Sequence, residues 1–264
     1  MNDYILIIPH NGYLYVANSD NDTVSVIDTQ NNNTLVTEIP VGSKPLDIAF
    51  DPTNGYLYVT NQYDETVSVI DTQNNNTLLS EIPMGEHTDA VTLNPANGYL
   101  YVINEPGTYT EISVIDTRNN NSFLNEIPTR QSLIDYSMAF SPNNGYLYLT
   151  NLDENDGNRD IVSVIDTKNN NTPLQDMKVG NGIQSIAFEP SNGYLYVANH
   201  YDKSVSIIDT QNNNTLVTEI PIGVSPEGIA FDPSNGYLYV SNQASNFGNN
   251  TVLVIDTNRN TSTS

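Results

Sequence analysis

Histidines and a surplus of carboxylates are the side chains that could do chemistry in this sequence. His10, His87 and His200 lie far apart along the chain, so a histidine metal cluster is not expected. Cysteine is absent, which excludes thiolate metal sites and disulfides. No nucleophile elbow, His-Glu-x-x-His or phosphate-binding loop occurs. An acid–base pair built from Glu86 and His87 stays open as an alternative, although no spacing calls for it.

A strict internal repeat determines which elements must position these side chains. The motif Asn-Gly-Tyr-Leu-Tyr occurs six times, with glycine spacings of 43, 43, 47, 48 and 43 residues. A second motif, Val-Ile-Asp-Thr or Ile-Ile-Asp-Thr, follows each copy. The repeated glycines and aspartates are Gly12, Gly55, Gly98, Gly145, Gly193 and Gly236, and Asp28, Asp71, Asp116, Asp166, Asp209 and Asp256.

The second repeat shows the elements of one unit. Residues 46–50 and 56–60 read as strands A and B around a Pro-x-Asn-Gly turn. Residues 67–70 and 78–83 read as strands C and D around an Asn-rich turn. Four short antiparallel strands in about 43 residues predict a β-propeller blade. We expect one all-β, six-bladed propeller domain over 1–264, with blades at 3–42, 43–85, 86–130, 131–180, 181–223 and 224–257 and a tail at 258–264.

The last blade is predicted to have three strands, which makes 23 strands in all. Only Thr257 to Ser264 follows its strand C, and this segment is short and polar. Strand C of this blade would then be an open edge, which favours self-association with another chain. Twelve of the 17 tyrosines lie in the repeated Tyr-Leu-Tyr, and we expect them to pack between blades.

The recurring aspartates could be imagined as a ring of metal ligands. Ca²⁺ needs six to eight oxygens around one point, whereas one turn per blade holds the copies apart. We predict instead that each Asp accepts hydrogen bonds from the backbone two residues on. The acidic stretch from Asp153 to Gly157 lacks the EF-hand spacing. No cofactor is predicted, with a weakly bound cation such as Ca²⁺ at this stretch as the remaining alternative.

Loop lengths distinguish the two ends of the blades. The A–B and C–D turns are nearly identical in every copy, whereas insertions occur only in the B–C loops of blades 3, 4 and 6 and in the D–A connection into blade 4. Irregular loops on a rigid scaffold often carry binding specificity. We therefore predict a partner-binding face at this end. Its candidate residues are Tyr63, Asp64, His87, Tyr109, Arg130, Asp153, Asp156, Arg159, His200 and Tyr201.

The C–D turns carry another signal. Five of them contain an Asn-x-Thr or Asn-x-Ser sequon, the acceptor for N-glycosylation. Asn is also a good turn residue, so the motif has a purely structural explanation as well. The predicted acceptors are Asn32, Asn75, Asn120, Asn170 and Asn213.

Net charge restricts the partners. The formal charge is −23, from 31 acidic residues against 8 Lys and Arg. No basic stripe is present to bind phosphates, which argues against nucleic acid and anionic membranes. No apolar run reaches the ~20 residues that span a bilayer, so we expect no membrane insertion.

Strand B gives the sequence a family resemblance. Tyr58-Val59-Thr60-Asn61, with close variants at residues 15–18, 148–151 and 239–242, resembles the YVTN-repeat β-propellers. The resemblance covers the whole chain and implies a propeller of the archaeal and bacterial surface-layer type. Similar propellers include lactonases and lyases. This chain has six repeats instead of the usual seven blades.

Together these features favour a non-enzymatic repeat protein of the cell surface or extracellular space that binds a protein or glycan partner through the B–C/D–A face. The alternative is a propeller enzyme of the lactonase or lyase type, with its site at the central mouth of the same face.

Overall fold

The computed structural model contains six antiparallel β-sheets and, over the residues it describes, no helix. It describes residues 5–8, 12–105, 110–129, 137–151, 159–232, 235–243, 251–257 and 261–263. Within these ranges no helix is long and apolar enough to cross a membrane. The predicted all-β, six-bladed propeller with four-stranded antiparallel blades is confirmed.

Each sheet is built from consecutive strands A to D, in the order in which they follow in the chain. The strands are β1 (Ile5–Ile8), β2 (Tyr13–Asn18), β3 (Thr23–Asp28), β4 (Thr34–Pro40), β5 (Pro45–Asp51), β6 (Tyr56–Asn61), β7 (Thr66–Asp71), β8 (Thr77–Pro83), β9 (His87–Asn94), β10 (Tyr99–Glu105), β11 (Glu111–Asp116), β12 (Ser122–Pro128), β13 (Met138–Ser141), β14 (Tyr146–Asn151), β15 (Ile161–Asp166), β16 (Thr172–Pro173), β17 (Met177–Lys178), β18 (Ile183–Glu189), β19 (Tyr194–Asn199), β20 (Ser204–Asp209), β21 (Thr215–Pro221), β22 (Ser225–Asp232), β23 (Tyr237–Gln243), β24 (Thr251–Asp256) and β25 (Thr261–Thr263).

Two details correct the predicted count of 23 strands. In blade 4 the outer strand is divided into β16 and β17, which pair with opposite ends of β15. Pro173 has no N–H to donate, which accounts for a weak outer strand at this position. The last blade has the three main strands predicted, and the three-residue β25 adds to them by pairing with Val254, Ile255 and Asp256 of β24. Self-association through this edge stays a prediction.

The chain forms two compact units, Met1–Arg130 and Gln131–Ser264. Their boundary coincides with the predicted boundary between blades 3 and 4. The first unit holds the sheets β1–β4, β5–β8 and β9–β12, and the second holds the other three. The prediction that residues 1–264 form a single domain stays a prediction.

The two ends of each sheet are built as predicted. In blade 2 the N–H of Thr72, in the C–D turn, donates to the carbonyl of Gly55 in the A–B turn. At the other end the N–H of Gln62, in the B–C loop, donates to the carbonyl of Lys44 in the D–A connection. The A–B and C–D turns therefore share one end of the sheet, and the variable loops share the other.

The core lies between neighbouring sheets of a unit. Tyr58, the second tyrosine of its motif, is fully buried with Leu100 and Val102 of the next sheet. Tyr148 packs in the same way against Leu195 and Val197. Burial raises the pKa of Tyr148 to about 12. The prediction that the repeated tyrosines pack between blades is confirmed for the second tyrosine of blades 1, 2, 4 and 5. It fails for Tyr237 of blade 6, which is 39% exposed.

The C–D turns explain the repeated Asp and Asn. Asp71 Oδ1 accepts hydrogen bonds from the backbone N–H of Gln73 and of Asn74, at 2.9 and 3.0 Å. The predicted backbone role of this aspartate is confirmed, and Asp28 and Asp209 make equivalent pairs of bonds. Asn75 and Asn76 then adopt φ of 59° and 54°. Among non-glycine residues Asn tolerates this left-handed region best.

Candidate functional site

The structure places six of the ten predicted face residues. Tyr63, Asp64 and His87 lie in the first unit, and Arg159, His200 and Tyr201 lie in the second. The other four, Tyr109, Arg130, Asp153 and Asp156, lie outside the described residues, as does the acidic stretch after Leu152. Arg159 turns toward an outer strand, where its guanidinium is 3.8 Å from Glu219 Oε1.

In the first unit an exposed tyrosine stands at the B–C loop of blade 2. Tyr63 is 61% exposed. Lys44 Nζ lies 4.5 Å from the centroid of its ring and donates a hydrogen bond to its hydroxyl at 3.2 Å. The His87 ring lies 6.4 Å away, between centroids. The D–A connection that precedes blade 2 and the start of strand A of blade 3 therefore meet at this tyrosine.

A buried carboxylate lies close to Tyr63. Asp89, in β9, is only 4% exposed, and its Oδ1 accepts a hydrogen bond from Gln62 Nε2 at 2.6 Å. Its Oδ2 is buried without a hydrogen-bond partner among the described residues. Burial raises the pKa of Asp89 to about 6, and the negative charge of Glu105 adds to this effect, whereas His87 and Lys44 oppose it. Asp89 is therefore a carboxyl whose ionised form is poorly compensated.

The second unit repeats the arrangement with different residues. Tyr201, at the B–C loop of blade 5, is 70% exposed and meets the His200 ring edge to face, with centroids 5.1 Å apart. His200 Nδ1 lies 3.0 Å from Glu227 Oε1 of blade 6, at ion-pair distance but without hydrogen-bond alignment. Both side chains are partly exposed, so solvent or a ligand reaches them.

Backbone bonds show that the two loops are equivalent. Gln62 N–H donates to the Lys44 carbonyl, and His200 N–H donates to the Gly182 carbonyl. Each loop also has an aspartate that accepts a backbone N–H of its D–A connection. Asp64 Oδ2 accepts from Ser43, and Asp202 Oδ2 from Asn181. Blades 2 and 5 thus present an exposed tyrosine at the same place in their units.

The asparagine that ends strand B has a structural role. Asn61 Nδ2 donates to Thr66 Oγ1 and to Ser68 Oγ, both at 2.9 Å, and Asn61 is fully buried. A Cβ added to Gly42 would lie 2.7 Å from the Asn61 amide nitrogen. Asn199 and Gly180 repeat this contact in blade 5. The asparagine holds the B–C loop and the incoming D–A connection in place for the tyrosine two residues later.

The predicted glycosylation acceptors lie at the opposite end of the sheets. Asn32, Asn75, Asn120, Asn170 and Asn213 are all exposed and have positive φ. The asparagine after each acceptor is used structurally in at least two blades. Asn76 Oδ1 accepts from the Tyr15 hydroxyl at 2.7 Å, and Asn214 Oδ1 from the Tyr148 hydroxyl at 2.9 Å. The acceptor itself is accessible in every copy.

A concave surface of about 870 Å³ lies at this same end, between blades 4 and 5 of the second unit. Tyr146, Leu174, Met177, Ile208 and Leu216 form its apolar part. It exists where the outer strand of blade 4 is interrupted between β16 and β17. It is therefore a consequence of that interruption and lies at the opposite end of the sheets from Tyr201.

No metal ligand set is apparent in the part of the chain that the structure describes. Groups of three or more His, Asp or Glu side chains that could hold an ion are absent from these ranges. The prediction of a weakly bound cation at residues 153–157 falls outside them.

Sequence reasoning missed Gln62, Asp89 and Glu227. Asp89 and Glu227 read as polar interruptions of strand A rather than as loop residues. The signal that could have found them is a comparison of the copies, because the position of Asp89 is Leu46 in blade 2 and that of Glu227 is Gln184 in blade 5. Because other copies have an uncharged residue at this position, the blade does not need a carboxylate there in order to fold.

Comparison with known proteins decides the family. The family model described as Lactonase, 7-bladed beta-propeller matches residues 4–88 and 137–263. The chain belongs to this lactonase family. The match includes Lys44, Tyr63, His200, Tyr201 and Glu227 but leaves out residues 89–136, most of blade 3. The family is described as seven-bladed, whereas the described part of this chain forms six sheets.

Solved structures agree with the fold. The chain is similar to Kuenenia stuttgartiensis hydrazine synthase, with a TM-score of 0.76 at 20% identity over 96% of this chain and 76% of that one. A protein of unknown function from Desulfotomaculum acetoxidans DSM 771 gives 0.75 at 20% identity, over 96% and 78%. Among curated proteins none matches this sequence. At such identity the similarity supports the propeller fold alone.

Proposed function

We propose that this member of the lactonase family is a binding module of the cell surface or extracellular space, of the YVTN surface-layer type. It engages a protein or glycan partner through the B–C/D–A end of its blades. The observation that carries the proposal is the pair of equivalent exposed tyrosines, Tyr63 and Tyr201, each beside a histidine and a carboxylate. Tyrosine is enriched at binding hot spots because one ring supplies a large contact area and a polar tip.

The charge and the turns support the proposed location. A formal charge of −23 keeps an exposed protein soluble and disfavours anionic partners. Five accessible sequon asparagines in equivalent turns suit a chain that is glycosylated on export. Exposed apolar side chains follow the sequon in the outer strands of blades 1, 2, 3 and 5, such as Leu35 and Leu78, and a glycan three residues away would cover them.

Glycosylation gives the first prediction. We expect natively produced protein to carry glycans at Asn32, Asn75, Asn120, Asn170 and Asn213, which intact-mass analysis measures directly. Thr77→Ala destroys one sequon and leaves Asn75 in its turn, so the mass should fall by one glycan. An unmodified mass of the native protein would exclude the glycosylation.

The binding face gives the second prediction. We expect Tyr63→Ala/Tyr201→Ala to weaken binding to immobilised glycans or cell-envelope proteins of the producing cell by at least about tenfold, because both anchors are removed. Both side chains are exposed, so the fold is kept. Asn74→Ala/Asn212→Ala is the matched control, since it changes exposed turn residues of the same two blades at the opposite end. Equal losses in both double variants would contradict the proposed face.

A second candidate function is lactone hydrolysis, which the family membership favours together with one contact. His200 lies 3.0 Å from Glu227, and a carboxylate beside an imidazole can orient it as a general base toward water. If this function holds, the protein hydrolyses a simple δ-lactone faster than buffer does, and His200→Gln lowers kcat/KM by about 10²–10⁴-fold. Wild-type protein that releases no acid above the spontaneous rate eliminates this candidate.

A further inference from the structure

The two tyrosine loops differ at one position of the D–A connection. In the first unit this position is Lys44, whose ammonium lies 4.5 Å from the centroid of the Tyr63 ring. In the second unit the equivalent position is Gly182, identified by the matching bond from the loop N–H to its carbonyl. The first tyrosine therefore has a cation supplied by its own chain, and the second has no side chain at that position.

The Tyr201 ring packs on the backbone of its own D–A connection and leaves the rest of its surface exposed. A Cβ added to Gly182 would lie 2.6 Å from Tyr201 Cδ2, so the ring packs directly over this glycine. Its remaining surface leaves the residue 70% exposed. Among the described residues no Lys or Arg side chain lies over the ring. Aromatic faces attract cations, and more so when a carboxylate lies nearby.

The charges around Tyr201 complete the argument. Glu227 is within reach of His200, which itself contacts the Tyr201 ring, and Asp202 follows in the same loop. The formal charge of −23 draws cations toward the whole surface. The ring, the carboxylates and the net charge thus all favour a cationic ligand.

We infer that the exposed surface of the Tyr201 ring, with Glu227 nearby across His200, binds an arginine or lysine side chain of a partner protein, in a cation–ring contact like the one that Lys44 makes with Tyr63. A guanidinium can stack on the ring and pair with the carboxylate at the same time, which makes arginine the better fit. The inference rests on the proposed function for the nature of the partner, but the cation site itself is testable without that partner.

The probe is butylguanidinium chloride, titrated into protein with ¹³C-labelled tyrosine rings and followed by NMR. The neutral isostere butylurea is the matched control ligand. We expect the Tyr201 ring signals to shift saturably with butylguanidinium, with a dissociation constant on the order of 1–10 mM, because a cation over an exposed ring binds weakly. Butylurea should shift neither ring, and Tyr63 should respond to neither ligand.

Two variants separate the parts of the site. Glu227→Gln should weaken the binding about 3–10-fold, since it removes the charge that assists the contact. Lys44→Gly should open the first site, so that Tyr63 also responds and the stoichiometry rises from one to two. Lys44 already has φ of 55°, which glycine adopts without strain, so this variant keeps the loop conformation.

Two results would overturn the inference. One is a Tyr201 signal that shifts equally with butylurea, and the other is a Tyr201 signal that does not saturate with butylguanidinium. Failure here is distinguishable from failure of the proposed function. If no cation binds but Tyr63→Ala/Tyr201→Ala still loses the partner, the face binds by other chemistry. If the cation binds and the double variant keeps the partner, the binding face lies elsewhere.

Discussion

Tyr148→Ala is expected to lower the free energy of unfolding by about 3–5 kcal/mol, as for other truncations of buried aromatic side chains. The ring is fully buried between blades 4 and 5. Its hydroxyl donates to Asn214 Oδ1 and accepts from Asn144 Nδ2, both at 2.9 Å. The variant therefore leaves a cavity between two sheets and removes one hydrogen bond each from Asn144 and Asn214. Urea unfolding followed by circular dichroism measures the change.

Two control variants separate the contribution of the buried ring to stability from that of its hydroxyl. Tyr148→Phe keeps the ring and should cost only about 1 kcal/mol, the usual net contribution of one hydrogen bond. Tyr146→Ala, two residues earlier in β14, removes a half-buried ring and should cost clearly less than Tyr148→Ala. If the free energy of unfolding of Tyr148→Ala lies within 1 kcal/mol of the wild-type value, packing between blades does not depend on the repeated tyrosine.

Asp89→Asn is expected to stabilise the protein as the pH rises. The pKa of Asp89 is raised from 3.8 to about 6, mainly by burial. At pH values below the pKa of the unfolded state, the carboxyl is neutral in both the folded and the unfolded protein and does not change the free energy of unfolding. As the pH rises through the pKa of the folded state, the wild type loses stability on the order of 2–3 kcal/mol.

The asparagine of Asp89→Asn stays neutral at every pH, and its side-chain oxygen still accepts the hydrogen bond from Gln62. The effect of Asp89→Asn should therefore be more stabilising at pH 7.5 than at pH 4, as denaturant unfolding at both pH values measures.

Two other carboxylates show what is specific to Asp89. Asp20 is exposed, so Asp20→Asn should show no such dependence on pH. Asp47 is half-buried, and desolvation raises its pKa to about 6, but its two oxygens accept backbone N–H groups of Ile48 and Val91. Asp47→Asn would place an amide N–H against one of these donors and should destabilise. An Asp89→Asn effect that is the same at both pH values would mean that its carboxyl is solvated in the folded state.

A destabilising acid in a well-packed repeat is informative about function. Other copies have Leu46 or Gln184 at the position of Asp89, so the blade does not need a carboxylate there. Groups that cost stability tend to persist where they bind or react. The pH effect and the binding assays therefore address the same end of the molecule from two directions.

The repeat by itself determined most of the fold. Turn residues and strand periodicity are local information, and six copies of Pro-x-Asn-Gly-Tyr-Leu-Tyr specify the same blade six times. The same logic predicted the backbone bonds of Asp71 and the burial of Tyr58. The divided outer strand of blade 4 and the short β25 were missed because short outer strands depend on pairing with a neighbour, which propensity alone does not reveal.

Tyr63 and Tyr201 were found from the sequence because they lie in loops at the variable end. What they contact was decided by tertiary structure alone. Gln62 meets Asp89, and His200 meets Glu227, across 27 residues of chain in each case, because the B–C loop of one blade packs beside strand A of the next. Whether a cation covers the ring depends on the residue at position 44 or 182 and on its close approach to the tyrosine. Sequence determined the frame, and packing between blades decided which side chains meet on it.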